Sequence, residues 1–367
     1  MDETPIHPPY RNHIYNITSK GICETMKMKK TLTLVLAAVL GSTLMLSACG
    51  TSGTTPEAGG NTAAGGKTIT FKLTDIVQPT HVWNKTTEKF NEELQKRSNG
   101  RMKVDLFPAG QLGPEKDMVQ QISSGTIDFG IITNAYMSSL SEPFNAWFMP
   151  FLFKDVSEAV AARSSEPAKK ILAELDKQGI IGMDFVFAGN RHILMKNTSI
   201  TKQEDLKGKK IRIIGSPAIQ DFWKGVGAGP TPMPLPEVYT SLQTGVIDGI
   251  DIDLDALATE KYYETAKNLT LTNHMTFPGV VMMSKAKYNS LSPEDQKIVT
   301  DAMKAATDWG NEQAIAGEKS NLDAMKSKGI TITELSNPES FKPIRDEIYA
   351  KYSSNPIIKE FIQVNQK

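Results

Sequence analysis

From Thr68 onward, apolar residues along the chain keep two rhythms. Thr68–Leu73 (TITFKL) and Met102–Phe107 (MKVDLF) alternate apolar with polar positions, which predicts strands. His81–Ser98 carries its apolar residues at helical spacing and stops at Asn99-Gly100, a C-terminal cap. Pro114–Ser123 predicts a second helix, closed by Gly125 ahead of a strand over Ile127–Thr133. Strand, helix and strand in succession predict a sheet whose strands run mostly parallel. Ile181–Phe187 is a further strand, followed by Gly189-Asn190-Arg191-His192. A long helix is predicted from Pro293 to about Lys328, with Ser292 as N-cap and Gly329 as stop.

The pattern echoes itself. Gly100 to Ile131 and Gly208 to Ile250 both read glycine, strand, loop, helix, glycine, strand. Gly125-Thr126-Ile127-Asp128 and Gly245-Val246-Ile247-Asp248 align at a spacing of 120 residues. Convergent cap-to-strand chemistry and a duplicated unit both produce this echo. Either origin predicts two lobes built alike, with the ligand region beyond the carboxyl ends of their strands. The chain first crosses between lobes near Asn190-Arg191 and returns near Asn273-His274.

The first 67 residues carry a different pattern. Met28-Lys29-Lys30 is a short basic start, and Thr31 to Ala48 then runs 18 residues without a charge. Leu46-Ser47-Ala48-Cys49 ends that run with small residues before a cysteine. This reads as a lipoprotein signal over 28–48, with Cys49 as the lipidated residue. A membrane-spanning helix is the alternative, near the lower length limit. Residues 1–27, with Pro5, Pro8 and Pro9, fit no signal start and are read as a mis-assigned extension before Met26 or Met28. Residues 49–67 are rich in Gly, Ser, Thr, Ala and Pro and read as a flexible linker.

Composition narrows the function. Acidic and basic residues balance at 41 each, and no basic run stands out beyond the signal, which excludes nucleic acid as a partner. Cys23 and Cys49 are the two cysteines. With the signal removed and Cys49 lipidated, the remaining body has no thiol for a disulfide, a metal site or a nucleophile. A body of about 300 residues suits two cores rather than one.

One residue breaks its local pattern. Arg212 sits inside the apolar run Ile211-Arg212-Ile213-Ile214. A cation in a covered parallel strand costs several kcal/mol unless an anion meets it. Arginine's planar fork suits a carboxylate. An edge-strand arginine in water, or one fixed by an internal acid, is the competing explanation. Asp248, Asp251, Asp253 and Asp255 form an acidic comb. As a calcium loop starting at Asp251 it fails, because Ala256 and Tyr262 stand where glycine and glutamate are needed. If the segment is extended, Asp251, Asp253 and Asp255 share one side. His81, His192 and His274 lack zinc-ligand spacing. Trp83, Trp147, Trp223 and Tyr239 are rings able to stack on a sugar, with core packing the commoner fate of each; Trp223 is read as core.

Several blocks together resemble the solute receptors of tripartite ATP-independent periplasmic (TRAP) transporters, the DctP family. They are Gly110-Gln111-Leu112-Gly113, Gly125-Thr126-Ile127-Asp128, Pro150-Phe151-Leu152-Phe153, Leu206-Lys207-Gly208, Lys210-Ile211-Arg212, Phe222-Trp223, Pro230-Thr231-Pro232-Met233, Glu237-Val238-Tyr239 and Gly245-Val246-Ile247-Asp248-Gly249. They run in order from about Ile69 to about Asn273.

The resemblance implies an α/β, two-lobe periplasmic-binding-protein-like fold with mixed, mostly parallel sheets. It implies a long helix along both lobes and a chain end on the second. Lobe I is expected over 68–189 plus 275–315, and lobe II over 190–274 plus 316–367. The implied function is capture of a small organic acid for a TRAP permease, without catalysis or cofactor. A sensor for a signalling kinase, or an extracytoplasmic hydrolase using paired aspartates, are the alternatives.

Arg212 matches the family position that pairs with the ligand carboxylate, and Arg191 matches a second arginine. Thr133 and Asn134 fall at a strand end the family uses for ligand contact. Ile250-Asp251-Ile252-Asp253 replaces the Gln-Glu-Asn-Pro usual in dicarboxylate receptors. Gly215 replaces an asparagine, and Leu235 keeps an apolar wall. These departures disfavour a simple dicarboxylate and favour a hydroxylated or amino-bearing acid such as a sugar acid, with Asp251 and Asp253 as acceptors. Tyr239, Trp147, His81 and Asp75 complete the candidate site. The expected location is the outer face of the cytoplasmic membrane, reached through the lipid anchor.

Overall fold

The computed structural model describes residues 68–366. The N-terminal extension, signal, linker and Cys49 lie outside the described residues.

Eleven strands form two sheets. They are β1 (Ile69–Thr74), β2 (Met102–Phe107), β3 (Phe129–Thr133), β4 (Ile180–Asn190), β5 (His192–Met195), β6 (Lys210–Ile213), β7 (Gly229–Pro232), β8 (Gly249–Ile252), β9 (Asn268–Leu271), β10 (Thr276–Ser284) and β11 (Thr331–Glu334). The first lobe holds the order β2-β1-β3-β10-β4, and the second holds β11-β9-β5-β8-β6-β7. Five of the nine strand pairings are parallel, so the sheets are mixed with a parallel majority. The antiparallel pairings all involve β5 or β10, the strands that follow the two crossings.

Local chemistry explains the elements. The helix Val82–Arg97 starts where expected: His81 is its N-cap, and Nδ1 accepts from Trp83 N at 3.1 Å. Gly125 and Gly245 close their helices in the left-handed region, at φ 80° and 78°, where a side chain would be strained. Three residues later, Asp128 and Asp248 play matching parts. Each accepts a backbone N–H from a lysine of the neighbouring parallel strand, Lys72 and Lys210, both at 2.8 Å. The sequence echo is therefore a shared piece of local structure.

The first core is aromatic. Phe129 meets Phe71 and Phe90 edge to face, at 5.2 Å in both cases. Each fully buried ring of this kind contributes about 1.5–3 kcal/mol relative to exposure. The second core centres on Phe222 and Trp223, with His274 stacked on Phe222 at 5.2 Å.

The two crossings lie side by side. Arg191 N donates to Met275 O at 2.7 Å, and His274 N donates to Arg191 O at 3.3 Å. The long helix Pro293–Ser327, capped by Ser292, packs on Val82–Arg97 and β4 of the first lobe and on Leu254–Thr259 of the second. One expectation for the chain end needs correcting. β11 and the helix Lys342–Tyr352 join the second lobe, but the last helix, Pro356–Asn365, returns to the first. Its Phe361 packs against Trp147 at 4.7 Å. An apolar face on that helix finds its complement in the aromatic core of lobe I, so 316–367 is not a lobe II segment throughout.

Candidate functional site: the interlobe cleft

Arg212 is fully buried in β6. Its Nε and Nη2 donate to the Met233 carbonyl at 3.0 and 2.8 Å. Nη1 has no hydrogen-bond partner among the described residues. Burial lowers its pKa to about 10, which leaves it charged at neutral pH; the nearby Tyr262, Asp251 and Glu115 oppose the shift. A backbone carbonyl carries only a partial charge, so this cation has no direct anionic partner.

Arg191 meets different surroundings. Its Nε donates to Asp251 Oδ1 at 2.5 Å, its Nη1 to Asp253 Oδ2 at 2.9 Å, and its Nη2 to the Asp251 carbonyl. Its guanidinium also lies 4.3 Å from the centre of the Phe277 ring. Asp251 is equally committed: Oδ2 accepts from Trp223 Nε1 at 2.8 Å and lies 3.4 Å from His274 Nε2. Burial opposes its charge, yet Arg191 and His274 hold its carboxyl well below the usual carboxylate range.

The acidic comb is not one extended edge. β8 ends at Ile252, and Asp253 is the N-cap of Leu254–Thr259, accepting from Ala256 N at 2.8 Å. Asp255 therefore turns toward the first lobe, where Oδ2 accepts from Val82 N at 3.0 Å and lies 3.3 Å from His81 Nε2. The three carboxylates find donors in three directions, which removes the repulsion an extended comb would create. Asp251 and Asp253 both accept from the protein, and Asp253 also lines the inner cavity.

The cleft has an outer and an inner part. The outer cavity encloses about 690 Å3, within the range of small-molecule sites. Its walls include Ile76, Glu115 and Tyr136 from lobe I, and Arg212, Gly215 and Leu235 from lobe II. A Cβ at Gly215 would meet nothing within 4 Å, so space remains there. The inner cavity, about 20 Å3, is lined by Trp83, Thr133, Arg191, Arg212, Asp253 and Phe277 among others. Polar contacts bridge the lobes on two sides, through His81–Asp255 and through Ser138 Oγ to Ser216 Oγ at 2.9 Å.

The other expected site residues scatter. Thr133 and His81 line the inner cavity. Asn134 turns inward and donates to Phe144 O at 2.9 Å. Asp75 is buried behind β1, accepting from Val77 N at 3.0 Å, and burial raises its carboxyl to about 7. Trp147 lies in the lobe I core against Phe185, Phe187 and Phe361, out of reach of the cleft. Tyr239 hydrogen-bonds Glu264 at 2.8 Å and is not part of either cavity wall. Both rings follow their packing neighbours rather than a ligand.

Glu115 was missed. It reads in sequence as a first-turn acid of a helix, and the structure gives it a second task at the cleft. Its Oε1 accepts from Thr133 N at 2.6 Å and its Oε2 from Thr133 Oγ1 at 3.0 Å. Burial raises its carboxyl to about 7, against the lowering effect of the Thr133 donors and Arg212. Its place two residues after Gly110-Gln111-Leu112-Gly113 is the signal that could have found it. Among the described residues, no acidic or histidine cluster could hold a metal ion, and no helix is long and apolar enough to cross a membrane.

Comparison with known proteins matches residues 73–355 to the DctP family, described as bacterial extracellular solute-binding protein, family 7. The 2,3-diketo-L-gulonate-binding periplasmic protein YiaO of Escherichia coli is 32% identical, over 68% of this chain and 76% of its own. The TRAP periplasmic solute-binding protein of Xanthobacter autotrophicus Py2 with bound β-D-galacturonate is 30% identical, with a TM-score of 0.75. That match covers 80% of this chain and 98% of the other. The sugar acid binding protein DctPAm of Advenella mimigardefordensis, in complex with galactonate, is 27% identical with a TM-score of 0.77. Here 81% of this chain and 97% of the other are covered.

Proposed function

Because the chain belongs to the DctP family of TRAP solute receptors, which bind and carry rather than catalyse, we propose that its ligand is a sugar acid. The acid enters the cleft as a monoanion with a hydroxylated tail, and the protein delivers it to a TRAP permease. The observation that carries this reading is the buried Arg212, whose Nη1 lacks a partner while its other donors rest on a carbonyl. A carboxylate there completes the charge pairing; each charge-assisted bond is worth about 1.5–3 kcal/mol.

The rest of the cleft supports a hydroxylated tail. Glu115 at the far wall accepts from hydroxyls and repels a second carboxylate when ionised. Ile76 and Leu235 supply apolar walls for the carbon faces of the acid. Arg191, neutralised by Asp251 and Asp253, keeps its fork within the frame and leaves the ligand carboxylate to Arg212. The relatives named for galacturonate, galactonate and diketogulonate binding favour the same class. Cys49 is the proposed lipid attachment point, tethering the receptor outside the cytoplasmic membrane.

Thermal unfolding against a panel of uronic, aldonic and C4-dicarboxylic acids tests the reading. A sugar acid at about 100 times its Kd stabilises the receptor by about 2.7 kcal/mol. A shift with succinate or malate and none with any sugar acid would refute it. Release of the full-length protein from membranes by Cys49→Ala tests the anchor.

A further inference from the structure

Trp83 adds a second buried donor among the residues that line the inner cavity with Arg212. Its indole is 1% exposed, and Nε1 has no hydrogen-bond partner. The ring is held on three sides. It stacks on Phe277 at 6.3 Å, meets His81 edge to face at 5.1 Å, and lies so close to β10 that a Cβ at Gly279 would sit 2.9 Å from Cζ2. The indole therefore cannot swing to find another acceptor. Trp83 and Arg212 both line the inner cavity of about 20 Å3. A cavity needs roughly 10–15 Å3 for one water-sized group, so this one holds a single oxygen.

Two buried, unpartnered donors on residues that share a cavity with room for one oxygen point to an acceptor site. The donors come from different lobes, Trp83 from the helix Val82–Arg97 and Arg212 from β6. The inner cavity shares Ile76, Arg212, Ile214 and Leu235 with the outer one, so a ligand in the cleft can reach it.

We propose that one carboxylate oxygen of the bound acid occupies the inner cavity and accepts from both Trp83 Nε1 and Arg212 Nη1. The acid thereby becomes a bridge between lobes whose two donors make no direct bond to each other. Trp83 is a positioning and closure residue: it fixes where the carboxylate stops and rewards the closed arrangement only when an anion is present. This assignment rests on the sugar-acid reading above.

The test measures binding of D-galacturonate and D-galactonate to wild type, Trp83→Phe and Arg212→Met by calorimetry. Phenylalanine keeps an aromatic ring on Phe277 and removes the N–H. The expected result is about a 10- to 100-fold weaker Kd in Trp83→Phe with an unchanged circular dichroism spectrum. If Trp83→Phe binds as tightly as wild type, the bridge is wrong and the sugar-acid reading stands. If wild type binds no uronic or aldonic acid of the panel, that reading falls and takes the bridge with it. Should Trp83→Phe fold poorly, 15N-indole labelling of wild type decides, with the Trp83 signal assigned by its contacts with Phe277 and Gly279. A downfield shift and slowed exchange of that N–H on adding acid support the bridge; an unmoved signal overturns it.

Discussion

Arg191 and Arg212 stand in the wall of one inner cavity, 2% and 0% exposed, and their partners divide them. Arg191 spends all three of its bonding nitrogens on Asp251 and Asp253. Arg212 spends two on a carbonyl and leaves the third. A paired buried cation is part of the frame, and its removal strands the acids that neutralised it. An unpaired one already bears its desolvation cost, so its removal relieves the fold and damages what an incoming anion would use. The same residue type thus serves stability in one place and recognition in the other.

Exchanging each arginine for methionine tests that division. Arg191→Met leaves Asp251 and Asp253 buried without their cation, and the expected loss is about 3–5 kcal/mol of stability in urea unfolding. A loss below about 1 kcal/mol would mean that Arg191 is not structural. Arg212→Met is expected to weaken sugar-acid binding at least about 100-fold, about 2.7 kcal/mol, while Tm without ligand holds or rises. A large fall in that Tm would place Arg212 in the frame beside Arg191.

Glu115→Gln sharpens the comparison from the opposite wall. It removes an acceptor for hydroxyls and the repulsion toward a second carboxylate. Sugar-acid binding at pH 8 is expected to weaken about tenfold while binding of C4-dicarboxylates improves. Equal effects on both classes, read by calorimetry, would deny Glu115 any part in selection.

The effect confined to one side of a pH window is expected at Asp75, a buried acid with no cationic partner among the described residues. Its folded pKa of about 7 lies above the ordinary carboxylate value, so the folded state holds this proton more tightly than the unfolded one. Its contribution favours folding at low pH and is lost as pH rises from the ordinary carboxylate pKa through about 7. Asp75→Asn should therefore gain up to about 4 kcal/mol over wild type at pH 8 and nothing at pH 4. An equal difference at both pH values would show that Asp75 does not titrate in this range.

The frame was readable because its determinants are local. Ser292 and Gly329 mark the ends of the long helix by capping chemistry, and Gly125 and Gly245 announce left-handed caps from sequence alone. Arg212 was readable because a cation in an isoleucine run violates a strong rule. The division of labour between the arginines was not readable. It depends on Asp251 in β8 and Asp253 at the following helix cap, 60 and 62 residues away in sequence. The acidic comb misled because period-two spacing presumes extended backbone, and Asp253 instead starts a helix. Trp147 looked available as a stacking ring because its cover, Phe361, arrives from the far end of the chain. Glu115 was hidden by a conventional role, since first-turn acids are ordinary at helix starts.

The adjoining passages at Arg191 and His274–Met275 carry a mechanical consequence. Two strands pinned shoulder to shoulder form a ribbon, and a ribbon flexes across its flat face far more readily than it slides lengthwise or twists about one edge. Such a ribbon favours a swing across its flat face, and the long helix Pro293–Ser327 ties the same two lobes together. Arg191 lends its main chain to that ribbon while its side chain grips lobe II, so the pivot and the wall of the cavity turn as one piece. Any movement at the ribbon therefore carries the wall beside Arg212 with it.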